Sequence, residues 1–275
     1  MRLTLVINTF NQPEYLARVL AAVSRQTRVP DEVVLADDGS GEETRQVFEG
    51  WRAQGPLPGV HVWQEQKGFR RSRILNLAIA ASTGEHLVFL DGDTVPHPRF
   101  TEDHLAVAAR GGSFFVQGHR ALVEREAAAW FGLGEFGRDR RRALVAGQIS
   151  GWKNAFRWPA GWVRERSDLH GIRGCNLAIR RADLVRVNGY NEAFEGWGRE
   201  DSELAVRLMN AGVRRLDMRG RAPCFHLWHP PASRSNLGNN DQILAQAMEQ
   251  QATWCASGLE GHLPGRTGQR ETGRT

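Results

Sequence analysis

His86-Leu87-Val88-Phe89-Leu90-Asp91-Gly92-Asp93 is the stretch that decides the fold class. Five residues without polar alternation make a strand buried on both faces, and the two aspartates that end it cannot be covered by a sheet. Carboxylates two positions apart repel unless a cation sits beside them, and an oxygen-rich pair suits Mg²⁺ or Mn²⁺ held jointly with a substrate phosphate. Taken alone the tripeptide is ambiguous, because aspartate and glycine are also common turn residues.

Upstream, Leu3-Thr4-Leu5-Val6-Ile7 is a second such strand, ending at Asn8-Thr9. Glu32-Val33-Val34-Leu35-Ala36 is a third, ending in Asp37-Asp38-Gly39-Ser40, and Val60-His61-Val62-Trp63 is a fourth. Between them Pro13 with Leu16, Val19, Leu20 and Val23 predicts a helix, and further helices are predicted over 42–52 and 72–82. Strand and helix alternate over the first hundred residues, which argues for an open, mainly parallel α/β sheet with ligands beyond the carboxyl ends of its strands. All these polar clusters lie at such ends.

Downstream, periodicity weakens over 118–167, where a basic run at 138–142 and Trp130, Trp152, Trp158 and Trp162 stand out; this segment is expected near the active site. Order returns with Gly174-Cys175-Asn176-Leu177-Ala178-Ile179, helices over 181–187 and 200–211, and late strands or extended loops at 213–216 and 223–229. The tail from Ser257 has no apolar periodicity and is expected to be disordered.

The 275 residues suffice for one large domain, and 36 Lys plus Arg against 31 Asp plus Glu give a net charge of +5. Lys67 and Lys153 are the only lysines. Arginine forks suit phosphate and carboxylate, so the excess fits a nucleoside diphosphate, an anionic lipid surface, an acidic glycan or a nucleic acid, or it decorates a solvated surface. No run approaches the roughly 18–20 apolar residues of a membrane-spanning helix, and the apolar start is too short for a signal peptide, so a cytoplasmic protein is expected. Cys175, Cys224 and Cys255 are odd in number and far apart, against a disulfide framework or a four-cysteine zinc site.

In Asp37-Asp38-Gly39-Ser40 one aspartate is explained by capping the next helix, while the other is free to accept a hydrogen bond from a base imide or a ribose hydroxyl. Neither a Gly-x-Gly-x-x-Gly fingerprint nor a Walker loop is present. Downstream, Glu200, Asp201 and Glu203 crowd a helix start, where capping accounts for one or two anions but not three. Trp197 between Gly196 and Gly198 suits an aromatic face offered to a sugar ring, with core packing as its alternative.

Asn8-Thr9-Phe10-Asn11, Asp37-Asp38-Gly39-Ser40, the segment from Gly68 to Asn76 and Phe89-Leu90-Asp91-Gly92-Asp93, in that order, resemble a family 2 glycosyltransferase of the GT-A fold. Gly174-Cys175-Asn176, Asn188-Gly189-Tyr190-Asn191-Glu192 and Gly196-Trp197-Gly198-Arg199-Glu200-Asp201 resemble the carboxyl-terminal galactosyltransferase-like region of such enzymes. The resemblance covers about residues 1–230. It implies a GT-A (Rossmann-like) single domain whose residues 1–117 bind the nucleotide sugar and whose residues 118–256 bind the acceptor, with 257–275 a tail. It places Thr9, Asn11 and Asp38 at the nucleotide, Arg73 and Asn76 at the diphosphate or sugar (with Arg70 and Arg71 also aimed there), and Asp91 and Asp93 at the ribose and metal. It makes Asp201 the general base, with Glu200, Trp197 and Asn176 at the acceptor. A late histidine completing the metal site is first His226, then His229.

The expectation is therefore a metal-dependent (Mn²⁺ or Mg²⁺), inverting glycosyltransferase moving a sugar from a nucleotide sugar, UDP-sugar favoured, to a glycan or lipid-linked acceptor in bacterial surface polysaccharide synthesis. Peripheral contact with an anionic inner membrane goes with it, and no nucleic acid. The rivals are a metal-dependent nucleotidyltransferase, a basic nucleic-acid or anionic-surface binding protein, and an inactive sugar-binding module.

Overall fold

Alternating side chains of the first strand feed two cores. Leu3, Leu5 and Ile7 pack with Leu16, Val19 and Leu20 on one face of the sheet, while Val6 packs with Ile74, Leu75 and Ala78 on the other. A computed structural model describes residues 1–55, 57–158 and 161–264 of the chain. Strands β1 (Leu3–Thr9), β2 (Glu32–Asp37), β3 (Gly59–Trp63) and β4 (His86–Asp91) are joined by helices α1 (Pro13–Ser24), α2 (Glu42–Gln54) and α3 (Arg71–Ala81). There follow β5 (Thr94–Pro96), α4 (Phe100–Ala108), β6 (Phe114–Gln117), β7 (Arg120–Val123), α5 (Arg125–Ala128), α6 (Phe136–Val145), β8 (Ile149–Ser150) and β9 (Trp162–Arg166). The chain closes with β10 (Leu177–Arg180), α7 (Arg181–Arg186), α8 (Glu200–Asn210), β11 (Arg214–Arg219), β12 (Cys224–Leu227) and α9 (Leu237–Glu249).

The main sheet has eight strands in the order β3-β2-β1-β4-β10-β6-β11-β9, and a second sheet has the order β5-β12-β7-β8. Four of the seven pairs in the main sheet are parallel, so the expected mixed, mostly parallel α/β architecture is the one found. Strand β10 runs against β4 with Leu177 opposite Phe89, which puts the start of β10 beside the carboxyl end of β4. In the same way β12 pairs with β5 and sets His226 opposite Thr94. These two antiparallel insertions carry second-half residues to the edge where the first-half motifs end.

The segment over 118–167 is more regular than its sequence suggests, holding β7, α5, α6, β8 and β9. The expectation of disorder from Ser257 is corrected for 257–264: Leu259–His262 forms a 3-10 turn, and Leu259 is fully buried against α3 and Tyr190. A single apolar anchor leaves no periodicity to detect. Residues 265–275 lie outside the described residues.

Helix α8 is fixed from inside. Arg207 donates to both carboxylate oxygens of Glu203, at 2.8 and 2.7 Å, and to the carbonyl of Val187, with both side chains buried. Arg207→Met would leave Glu203 buried and unpaired, so urea denaturation is expected to show a loss of about 3–5 kcal/mol, and the double change Glu203→Gln with Arg207→Met a smaller one.

Candidate functional site

The parallel register sets Asn8 beside both Ala36 and Asp91, and Thr9 beside Asp37, so the ends of β1, β2 and β4 form one continuous polar edge. Asn11, in the left-handed region at φ 47°, accepts from the Gly41 amide at 2.9 Å and donates its own amide to Ser40 Oγ at 2.8 Å, tying the β1 and β2 loops together. Asp38 accepts from Gln64 Nε2 and from the Arg70 amide, and Gln64 Oε1 in turn accepts from Arg73 at 2.7 Å. Thr9, Asn11, Asp38 and Arg73 therefore gather in one region, with Gln64 as the connector that sequence reading missed. Burial pushes the Asp38 carboxyl up, against its hydrogen bonds from Gln64 and Arg70. Asn8 Oδ1 and Thr9 Oγ1 are buried at the same edge without hydrogen-bond partners.

The electrostatic centre is Arg71. Its buried guanidinium reaches Asp91 at 3.0 Å, Glu200 at 3.0 Å and Asp201 at 3.1 Å. Burial would lower the Arg71 pKa, but the three carboxylates outweigh it and hold it well above its ordinary value. Asp201 also accepts the Gly174 amide at 2.7 Å. A Cβ on Gly174 would lie 2.4 Å from Arg71 Nη2 and 2.7 Å from Asp201 Oδ1, so only glycine fits between them. Glu200 Oε2 is buried and unpartnered, and burial plus the neighbouring Asp201 charge push the Glu200 carboxyl up to about 7, against the pull of Arg71. Burial likewise raises Asp91, with Arg71 opposing.

Asp93 belongs to a different centre. Its Oδ1 lies 3.0 Å from His226 Nδ1 and its Oδ2 3.1 Å from His229 Nε2. Burial would raise the Asp93 carboxyl, yet hydrogen bonds from the two imidazoles hold it well below the usual range. One ligand atom from each of the three residues lies within 4.8 Å of the others, and one carboxylate with two imidazoles is a donor set that fits a divalent transition ion. First choice and runner-up among the histidines therefore both belong to the cluster. Asp91, expected as a further ligand, is not in this cluster, and its Oδ1 instead accepts from Arg71.

Two further expectations are corrected. Asn76 is fully buried, with its amide holding the backbone of Tyr190 on both sides and Glu192 Oε1, all at 2.8 Å. Asn176 is fully buried too, bonded to the Ala222 and His119 carbonyls and to His104 Nε2. Neither amide is left for a ligand. Trp197 does face outward, 41% exposed, and lines a cleft of about 280 Å³ with Lys67, Phe69, Arg70, Glu195 and Asn236. Gly196 at φ 72° and Gly198 at φ 104° make the left-handed turns that present it. Trp152, Trp158 and Trp162 do not line this cleft.

Residues 4–186 match the model of glycosyl transferase family 2, and residues 148–229 match that of the N-terminal domain of galactosyltransferase. The chain belongs to glycosyl transferase family 2. It is 24% identical over 269 residues to chondroitin synthase of Escherichia coli, covering 92% of this chain and 38% of that protein, so it spans well under half of this relative. In fold it is similar to S. aureus TarS 1–349 in complex with UDP (TM-score 0.64, 16% identity, 91% of this chain and 68% of that one). It is also similar to the mannosyltransferase PcManGT from Pyrobaculum calidifontis in complex with GDP-Man and Mn²⁺ (TM-score 0.59, 20% identity, 90% and 64%). The architecture is thus that of GT-A transferases, and the nucleotidyltransferase and nucleic-acid readings give way to family membership.

In this family 2 glycosyltransferase the role of Arg71 was hidden because its partners lie 20, 129 and 130 residues away; the signal was three arginines in four positions, Arg70, Arg71 and Arg73. Calorimetric titration with Mn²⁺ is expected to show one site, weakened at least about tenfold in His229→Ala and lost in Asp93→Asn; equal affinity in all three proteins would remove the metal assignment. A carboxyl raised from 4.5 to about 7 favours the folded state at low pH, and this contribution fades as pH rises through about 7. Glu200→Gln should accordingly gain stability over the parent at pH 8 compared with pH 5, by up to about 3 kcal/mol in denaturation midpoints.

Proposed function

We propose that the chain transfers a sugar from a nucleoside diphosphate sugar, UDP-sugar by preference, to a hydroxyl of a glycan or glycolipid acceptor with inversion at the anomeric carbon. The observation that carries this reading is the pairing of two acidic centres along one sheet edge: an Asp93–His226–His229 cluster, and Asp201 held by the same guanidinium that holds Asp91. The first suits a metal and a diphosphate, the second a proton acceptor. Residues 1–117 and 118–256, proposed as donor and acceptor halves, share the site, since each centre draws residues from both.

Thr9, Asp38 and the Gln64–Arg73 pair would hold base, ribose and diphosphate. A divalent ion at Asp93, His226 and His229, with Mn²⁺ favoured by the imidazoles, would neutralise charge on the departing diphosphate. Asp201 is oriented by the Gly174 amide and Arg71, and its side chain is twice as exposed as that of Glu200, at 16% against 8%. With the Glu200 carboxyl pushed up to about 7, Asp201 is the more exposed of the two acids that open α8. It would take the proton of the acceptor hydroxyl as oxygen attacks the anomeric carbon and the nucleoside diphosphate leaves from the other face. Trp197 would stack the acceptor ring. The position of the chain among bacterial polysaccharide synthases supports a role in surface polysaccharide synthesis.

Asp201→Asn is expected to lower kcat about 10²–10⁴-fold while calorimetric affinity for the donor stays within about twofold. Near-parental turnover would remove Asp201 from the base role. A thermal-shift panel of UDP-, GDP-, CMP- and dTDP-sugars, each with and without Mn²⁺, assigns the donor, and stabilisation by UDP-sugars only with metal is the expected result.

A further inference from the structure

The tryptophan-rich middle and the basic helix take no part in the site above, and Arg140 joins the one to the other. Trp152, Trp158 and Trp162 are 55, 51 and 53% exposed. The rings of Trp152 and Phe156 are 6.3 Å apart and those of Phe156 and Trp158 5.9 Å. Trp158 donates its amide to the Gly220 carbonyl at 2.8 Å and Trp162 stands opposite Arg219, so both are anchored at the end of β11. Cations cap the same patch: Arg140 lies over Phe156 at 5.6 Å and bonds the Ala155 carbonyl, and Lys153 lies over Trp152 at 5.8 Å.

Helix α6 extends the charge. Its sole acid, Asp139, is buried and accepts the amides of Gly132 and Gly134, while Arg138, Arg141 and Arg142 are exposed. Glu135 is spent on the amides of Gly137 and Arg138 as the helix cap, and Asp103 on Arg157. The helix ends in Val145, 86% exposed, and Leu133 before it is 63% exposed.

Half-exposed indoles with Lys153 and Arg140 on the same aromatic cluster, beside a helix with no carboxylate free, select an anionic partner. The aliphatic ends of α6 gain nothing from a soluble polyanion but are withdrawn from water at a lipid interface, where tryptophan is also at home. We propose that the face made by α6, residues 152–158 and Trp162 docks on an anionic phospholipid bilayer, indoles at headgroup depth and arginines against the phosphates. None of these residues lines the cleft at Trp197 or belongs to the metal cluster, so docking goes beyond the transfer reading and is separable from it.

The test is cosedimentation of the full chain with vesicles of phosphatidylglycerol and phosphatidylcholine against phosphatidylcholine alone, with tryptophan emission read in parallel. Binding to the anionic vesicles only, a blue shift, and weakening by salt are expected. Arg138→Gln with Arg141→Gln, and separately Trp152→Ala with Trp162→Ala, should each reduce partitioning about tenfold while leaving donor-induced thermal shifts unchanged. The charge pair keeps the test valid should the tryptophan pair fold poorly. No binding to anionic vesicles, equal binding to neutral ones, insensitivity to both variants, or capture by heparin or oligo(dT) without vesicle binding would each overturn the proposal. Loss of the donor shift in the parent protein would instead strike the transfer reading.

Discussion

The guanidinium of Arg71 is the interaction on which the site depends. Three carboxylates, from the end of β4 and the start of α8, converge on one buried guanidinium, and burying a charge without compensation costs several kcal/mol. One cation cannot neutralise three anions. The excess shows in Glu200, whose carboxyl is pushed up to about 7 by burial and by Asp201, and in Asp91, which burial also raises against the pull of Arg71. The same contact locks the first half of the chain to the second, since Arg71 opens α3 and its acids open α8. Gly174 makes this possible by leaving out the side chain that would separate arginine from Asp201.

The second centre illustrates what antiparallel insertion does to a parallel sheet. Parallel strands alone deliver Thr9, Asp38 and Asp91 to one edge, but they leave Asp93 without partners. Strand β12, running against β5, brings His226 alongside and carries the chain on to His229. Arg71 on one side and two imidazoles on the other divide the Asp91-Gly92-Asp93 motif between two tasks. Asp91 serves the ion-pair network and Asp93 the metal-type cluster.

Asn76 and Asn176 show how a motif residue can matter without touching a ligand. Asn76 clamps the backbone around Tyr190, whose ring packs edge-on against Phe89 of β4 beneath the Arg71 network. Asn176 bonds the Ala222 carbonyl two residues before Cys224 and so fixes where β12 begins. Both act on the site through position. A buried amide with all its hydrogen bonds made is among the more rigid connectors a loop can have.

Strong local periodicity made the βαβ start, the mainly parallel α/β sheet, the acidic strand ends and helix α8 legible in the sequence, because apolar spacing and turn residues report on neighbours a few positions away, while the GT-A class came from the resemblance of the ordered motifs to a family. The same local signals exposed Asp93, both histidines, Asp201 and Trp197 as candidates. They could not say that Asp91 and Asp93 part company, that Asn76 and Asn176 face inward, or that α6 turns its one acid to the core and its arginines outward. Those outcomes depend on contacts between residues up to 130 positions apart, and on which groups lose their water when distant segments meet. Sequence by itself determined which chemistry the strand ends could offer; tertiary structure decided which groups are spent on one another and which remain for a ligand, because only burial and long-range pairing set the electrostatic cost of each charge.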